Sequence, residues 1–254
     1  MSASIQDFLD LKRDIAYAPT MDWESIIHAY PAHKNVIIGV RALRERIEGA
    51  IAAIPVPNLS KSCREMPDLS PFAPLLAPSC ERVWEDITGA KPAFGMAEAL
   101  AALTMKGDVP EMEEEDRERL EAIAQNAFSR FLFLLREKNG HLVPTAWNKG
   151  DCPFCGEYAR IGFDEENRRT LHCLTCGHSW RFPRIKCPSC GNADHTSLGY
   201  FEAEGIDGVR VYFCKECRRY IKVVDTKART AHDAETEDAL TLELDEIAKK
   251  EDLS

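Results

Sequence analysis

Apolar residues recur at helical spacing through the first part of the chain. The clearest helix is predicted over residues 115–138, where apolar positions return every three or four residues and Asn139 and Gly140 provide a stop. A second helix is predicted over residues 34–53, ending before Pro55. Shorter helices are predicted over residues 5–15, 22–29, 79–88 and 93–103. Residues 1–145 are therefore expected to form an all-α helical domain.

The pattern changes between residues 146 and 227. Gly, Cys and Pro separate short runs such as residues 170–172 and 209–213, which predict brief strands joined by tight turns. This part also contains an internal repeat, because each half holds a Cys-x-x-Cys pair, a hairpin-length stretch and another such pair. A last helix is predicted over residues 233–250, with acidic residues at its start and Lys249 and Lys250 at its end. The predicted class is α+β, divided into a helical domain (1–145), two tandem four-cysteine modules (146–184 and 185–227) and a C-terminal helix with its tail (228–254).

The composition is that of an ordinary globular protein. The chain has 254 residues, of which 44% are hydrophobic and 29% charged, so it can bury a core that does not depend on metal ions. It contains no apolar run of about 18 residues, so no membrane span is expected. The N-terminus lacks the basic-then-apolar order of a secretory signal, which favours a cytoplasmic protein.

Eight of the ten cysteines form four Cys-x-x-Cys pairs. In a reducing compartment such clusters indicate metal ligands more often than disulfides. One pair brings two sulfurs to an ion, and two pairs complete a tetrahedron that suits zinc and iron equally. Sequential pairing is favoured because local closure costs less chain entropy. The predicted ligands are Cys152, Cys155, Cys173 and Cys176 for one ion, and Cys187, Cys190, Cys214 and Cys217 for the other.

Other interpretations of the pairs are weaker. A thioredoxin-like redox centre needs a βαβ pattern, which is absent, and an iron–sulfur cluster fits paired two-residue spacings less well than a single ion does. Modules this small need metal for folding, so the ions are expected to be structural at least in part. Glycine follows three pairs, whereas Arg218 follows the fourth, which predicts a looser turn there. If any thiolate is reactive, it is expected in the pair Cys214 and Cys217.

The remaining candidate residues are expected to be structural. The sequence contains no catalytic serine, paired-carboxylate or phosphate-loop pattern, so no enzyme is predicted. The isolated thiols of Cys63 and Cys80 are expected to be buried or incidental. His172 and His178 are expected to support the second pair or lie at the surface. The aromatic residues Trp180, Phe182 and Tyr212 are expected to pack around the modules rather than stack on bases.

The charge distribution argues against a nucleic-acid-binding protein. The formal net charge is −10, and residues 150–227 carry 12 basic and 11 acidic residues. Eight thiolates with two divalent ions would make this part mildly acidic. The cysteine region therefore lacks the basic surface that phosphate groups require.

Several segments resemble the FdhE family of formate dehydrogenase accessory proteins. They are residues 150–156, the run RTLHCLTCGHSWRFPRIKCPSC at residues 169–190, the pair Cys214 and Cys217 followed by Tyr220, and the acidic-apolar tail at residues 237–245. The resemblance covers about residues 144–245; the helical part agrees in kind, length and position only.

The resemblance implies a helical domain followed by two rubredoxin-like modules whose eight ligand cysteines bind iron. It also implies a cytoplasmic role in maturing formate dehydrogenase by binding its catalytic subunit. The leading hypothesis is thus a non-enzymatic assembly factor. The alternatives are an electron-transfer protein with rubredoxin-like iron and a zinc-ribbon protein that binds nucleic acid.

Overall fold

The N-terminal part of the chain is helical. The computed structural model describes residues 21–66, 68–105 and 107–254, so the helix predicted over residues 5–15 lies outside the described residues. Within them, the helices of this part are α1 Trp23–Ala29, α2 Lys34–Ile51, α3 Ala73–Thr88, α4 Met96–Met105 and α5 Glu114–Asn139. The other helices predicted for this part of the chain are all present. None of the described helices is long and apolar enough to cross a membrane.

Helix α3 begins at Ala73, six residues before its predicted start. Pro78 lies inside this helix, although proline lacks an N–H and removes one hydrogen bond from a helix interior. The helix nevertheless runs through this residue, since Ala73, Leu76 and Ala77 are all buried in the core. Tertiary packing outweighs the local preference here.

The strands form one mixed sheet. They are β1 Ile161–Glu165, β2 Arg168–His172, β3 Ser179–Phe182, β4 Leu198–Phe201, β5 Val209–Cys214 and β6 Tyr220–Asp225, in the order β3-β2-β1-β6-β5-β4. The predicted local hairpins appear as antiparallel pairs. Strands β1 and β6 pair in parallel, with Ile161 opposite Lys222, and join the two halves. The α+β class is confirmed, whereas the division at residues 146, 185 and 228 stays a prediction.

The sheet lies between two apolar cores. One face carries Leu171, Ile221 and Val223, which belong to the same buried cluster as Leu76 and Phe131 of the helical part. The opposite face carries residues that pack around Leu244 near the C-terminus, among them Ile161, Val211 and Val224. Most of the sheet is therefore covered on both sides.

The C-terminal segment forms two short helices where one was predicted. They are α6 Ala234–Leu240 and α7 Leu242–Lys250, separated by Thr241. The Thr241 Oγ1 donates to the Glu237 carbonyl at 2.7 Å, and Lys222 Nζ donates to the Asp238 carbonyl at 2.9 Å. In a continuous helix that carbonyl would accept from residue 242. The lysine thus takes one of the bonds that would have continued the helix.

The break between α6 and α7 lets both helices contribute a carboxylate to Lys222, which is buried. Lys222 Nζ lies 2.7 Å from a carboxylate oxygen of Asp238 in α6 and 2.7 Å from one of Asp245 in α7. Tyr220 donates its hydroxyl to the same Asp245 carboxylate at 2.7 Å. Burial disfavours the charged lysine, but the two carboxylates outweigh burial and raise the pKa of Lys222. This group fixes both C-terminal helices to strand β6.

Candidate metal centres

All four Cys-x-x-Cys turns have the same backbone geometry. The amide of each first cysteine donates to a carbonyl five residues later, at 2.7–3.0 Å. The carbonyl of that cysteine accepts from the amide four residues later, at 2.9–3.0 Å. The residue that donates this second bond has a positive φ in every case: Gly156 (86°), Gly177 (70°), Gly191 (77°) and Arg218 (59°). The internal repeat in the sequence is therefore a repeat of one tight turn.

Arg218 does not loosen its turn, so that expectation was wrong. Its amide donates to the Cys214 carbonyl at 2.9 Å, as the glycines do in the other turns. A left-handed conformation is unfavourable for a residue with a Cβ. The side chain compensates, because its guanidinium donates to the carbonyls of Glu251 and Asp252, and the Arg218 carbonyl accepts from the Ser254 amide. Arg218 thus attaches the C-terminal tail to the fourth turn.

The cysteines form two clusters of four in the sequential pairing. Cys152, Cys155, Cys173 and Cys176 make the first cluster, and Cys187, Cys190, Cys214 and Cys217 the second. In each, the sulfurs lie within 4.8 Å of one another. The nearest cross-pair separations are 3.5 Å for Cys152–Cys176 and for Cys155–Cys173 in the first cluster, and 3.6 Å for Cys187–Cys217 and 3.8 Å for Cys190–Cys214 in the second.

These separations fit a tetrahedral ion. With metal–sulfur bonds of about 2.3 Å, the edge of a tetrahedron measures about 3.8 Å. None of the ten cysteines is in a disulfide. In the first cluster, hydrogen bonds from Cys155, Cys173 and Cys176 lower the pKa of the Cys152 thiol. Hydrogen bonds to Cys152, together with burial, raise the pKa values of Cys155 and Cys176, so a bound cation would be needed to keep all four thiols ionised.

The first cluster is enclosed by the helical part. Arg136 of α5 donates from Nε to the Cys176 carbonyl at 3.2 Å. The Arg64 amide donates to the Phe154 carbonyl inside the first turn at 2.7 Å. A Cβ on Gly177 would lie 2.9 Å from the ring of Phe133. Only Cys155 in this cluster is partly exposed.

The second cluster is more exposed. Cys190 is solvent-exposed and Cys217 half-buried, whereas Cys187 and Cys214 are buried. The sequence pointed to the pair Cys214 and Cys217, but the accessible thiol belongs to a glycine-backed turn. Asn192 Nδ2 lies 3.9 Å from the Cys214 sulfur. The openness of this site was not predicted because it depends on which distant segments cover each turn.

The other predicted residues support packing. Cys63 and Cys80 are buried outside the clusters, and burial raises the pKa of each thiol to about 12. Burial also lowers the pKa of His172 to about 4, and His178 stacks on Trp180 at 6.2 Å between ring centroids. As expected, Trp180 and Phe182 are buried, and Tyr212 packs against the same core. Sequence reasoning missed Arg64 and Arg136, which carry no motif and lie far from the cysteines in the chain.

The protein therefore combines a helical part with a mixed sheet that carries two four-cysteine clusters. Residues 185–254 match the family model described as FdhE, C-terminal domain. Proteins named FdhE homolog are 34% identical over 110 residues in Aquifex aeolicus and 31% identical over 135 residues in Pseudomonas aeruginosa. The resemblance to the FdhE family is thereby confirmed.

The matches cover part of each relative. They span 41% of this chain and 39% of the Aquifex protein, and 50% of this chain and 43% of the Pseudomonas protein. The chain is also similar in fold to the crystal structure of the FdhE protein from Pseudomonas aeruginosa, with a TM-score of 0.61 and 20% identity. That alignment covers 100% of this chain and 95% of the other.

Proposed function

We propose that this protein is a cytoplasmic accessory factor for the assembly of formate dehydrogenase and that it binds the catalytic subunit of that enzyme. The observation that carries the proposal is the FdhE C-terminal domain match at residues 185–254, together with two sets of sulfurs at tetrahedral spacing. The role follows from the family resemblance, and the clusters supply the scaffold.

The eight clustered cysteines are proposed as metal ligands, with one zinc or iron ion in each cluster. The two hairpin pairs with their turns are then two rubredoxin-like modules joined through β1 and β6. When bound, such an ion cross-links two turns and stabilises the folded module. Two backbone hydrogen bonds, one from the amide of the first cysteine and one to its carbonyl, hold each turn in place.

A non-enzymatic role is part of this proposal. The buried charged groups on the sheet satisfy one another: Lys222 pairs with Asp238 and Asp245, and Arg169 pairs with Asp164 at 2.9 Å. Each of these groups is engaged by an opposite charge and is not held as a free acid or base for proton transfer. We therefore expect the protein to act by binding its client.

Metal content and an optical spectrum of protein purified without air test the metal sites. We expect two ions per chain, colourless if zinc and absorbing in the visible if iron. The variant Cys190→Ser should retain about one ion. Only three thiolates remain in its cluster, too few for a closed four-ligand site, so the ion that remains is the one in the other cluster. The control Cys80→Ser, at a buried thiol outside the clusters, should retain both. Fewer than one ion per parent chain would contradict the assignment.

Client binding is tested by affinity capture from cells that express formate dehydrogenase. The tagged protein should retain the catalytic subunit, and a strain that lacks the protein should lose formate dehydrogenase activity. Absence of capture together with normal activity in the deletion strain would refute the accessory role. Metal stoichiometry is a separate measurement, so either half of the proposal can fail alone.

The exposure of Cys190 favours one second candidate, electron transfer through rubredoxin-like iron. A solvent-accessible sulfur shortens the path between an iron and a redox partner. The protein would then show a reversible iron couple in voltammetry. Full accessory activity of zinc-loaded protein would exclude this function.

A further inference from the structure

A cationic cleft lies between the second cluster and the sheet. The space between its walls, part of which is open solvent, is about 380 Å³. Four positively charged side chains line it, namely Arg169, Arg184, Lys186 and Arg219, and no Asp or Glu is among the described lining residues. They come from strand β2, the segment that joins the two halves, and the residue before β6. The cleft therefore collects charge from three separate segments.

Only part of this charge is neutralised by neighbouring carboxylates. Asp164 accepts two hydrogen bonds from Arg169, at 2.9 and 3.0 Å, and lies 3.1 Å from Arg184 Nε. Within the described chain, Lys186 Nζ donates to the Asn148 carbonyl at 2.8 Å, and the Arg219 guanidinium packs over a tyrosine ring; neither has a carboxylate partner. One carboxylate thus pairs with two of the four cations, Arg169 and Arg184, and none in the described residues pairs with the other two.

In the described part of the chain, the cations of the cleft make no direct bond to the cysteine turns that border it. At the first cluster an arginine contacts the turn directly, through the bond from Arg136 to the Cys176 carbonyl. At the second cluster no hydrogen bond in the described residues joins the side chains of Arg184, Lys186 or Arg219 to a cysteine sulfur or carbonyl. These side chains line the cleft without bonding to the turns beside it.

The remaining walls define the kind of ligand. Leu198, Ile221 and Tyr212 supply apolar surface. Arginine forks match the paired oxygens of carboxylates and phosphates. We propose that this cleft binds a small organic oxyanion, with a carboxylate or phosphate facing Arg184, Lys186 and Arg219 and an apolar body against the sheet. The formal net charge of −10 makes non-specific anion binding unfavourable, so a local site is needed.

The test is a titration of the metal-loaded full chain followed by amide chemical shifts. Benzoate and inorganic phosphate are the anionic probes, and benzyl alcohol is the uncharged analogue of benzoate. We expect saturable shifts confined to amides around residues 184–189, 198–199 and 212–221 with at least one anion and none with the alcohol. Benzoate binding alone identifies a carboxylate site, and phosphate binding alone identifies a phosphate site.

The variant Arg219→Gln removes one cation whose guanidinium makes no described hydrogen bond. It should weaken anion binding about tenfold, the effect of losing one charge-assisted bond. The matched control Arg46→Gln removes the same charge from an exposed position on α2 and should leave the affinity unchanged. Lys186→Gln provides a second cleft variant should Arg219→Gln alter the fold.

Two results would overturn the proposal. One is the absence of saturable shifts with both anions in the parent protein. The other is equal anion affinity in the parent, Arg219→Gln and Lys186→Gln. Loss of metal from the cleft variants, without anion binding by the parent, would show that the cations serve the cysteine cluster instead. None of these results bears on the accessory role.

Discussion

The two cysteine clusters have nearly the same local geometry and very different surroundings. The first shares a core with the helical part, so its turns contact Arg64, Phe133 and Arg136. The second exposes Cys190 beside a cationic cleft, and its last turn holds the C-terminal tail. The four-cysteine motif determines that a metal ion can bind. The packing around each cluster determines whether the site is enclosed in the core of the protein or exposed at its surface.

Loss of one proposed metal ligand in each cluster should give the largest contrast. Cys173→Ser removes a proposed ligand that lies within the main core, and a structural zinc site contributes about 10–16 kcal/mol to folding in small metal-binding peptides. Because a domain is stable by only about 5–15 kcal/mol, this variant should lose cooperative unfolding. Cys190→Ser should disturb the second module alone. Circular dichroism during thermal unfolding measures both; equal losses would show that the clusters play equivalent roles.

The second half of the sheet should depend on its link to the C-terminal helices. Lys222→Met leaves the half-buried carboxylates of Asp238 and Asp245 without their buried cation, which should cost about 3–5 kcal/mol. The control Arg210→Met breaks the exposed pair with Glu202 on neighbouring strand β5 and should cost less than about 1 kcal/mol. Urea unfolding measures the difference. A cost for Lys222→Met no greater than that of its control would refute this role of the buried group.

Two glycine substitutions compare the packing around the clusters directly. Gly177→Ala and Gly191→Ala both place a Cβ on a left-handed residue, at about 1–2 kcal/mol each. The first also brings that atom to 2.9 Å from Phe133, whereas the second meets only a flexible lysine side chain at 3.9 Å. Overpacking should add about 1–3 kcal/mol to Gly177→Ala. Equal free energies of unfolding for the two variants would mean that the first turn is not constrained by the helix.

The smallest expected effect is that of Arg218→Gly. Glycine removes the strain of the left-handed conformation, about 1–2 kcal/mol, while the lost bonds to the tail carbonyls cost about 0.5–1.5 kcal/mol each. The free energy of unfolding should therefore change by less than about 2 kcal/mol. Hydrogen exchange at residues 251–254 should nevertheless accelerate. Unchanged exchange there would show that the guanidinium does not hold the tail.

The α+β class and the sequential pairing of the cysteines could be predicted, because both rest on short-range patterns. Helical periodicity located α2 and α5 to within about two residues, and two-residue spacing defined the four turns. The parallel pairing of β1 with β6 could not be predicted, since its partners lie about 60 residues apart and no turn signal links them. The break at Thr241 was missed for a similar reason, because Lys222 on a distant strand takes the Asp238 carbonyl.

Arg218 shows how a local rule can identify a position and still misjudge it. Its place after the fourth pair marked it as the exception to glycine, and the structure retains the same turn with φ at 59°. The compensating bonds lead to residues 251–254, more than 30 positions away. The sequence identified Arg218 as the exception to glycine, but it predicted a looser turn and did not show the bonds to the C-terminal tail that keep the turn tight.

The sequence by itself determined the four cysteine turns and their grouping, because each turn is closed by hydrogen bonds that span at most five residues. Only the tertiary structure decided that the first cluster is enclosed by α5 and that the second is exposed at Cys190. It also decided that four cations from separate segments meet in one cleft. The physical reason is that sulfur geometry is set by neighbours along the chain, whereas burial and charge density are set by segments that meet only after folding.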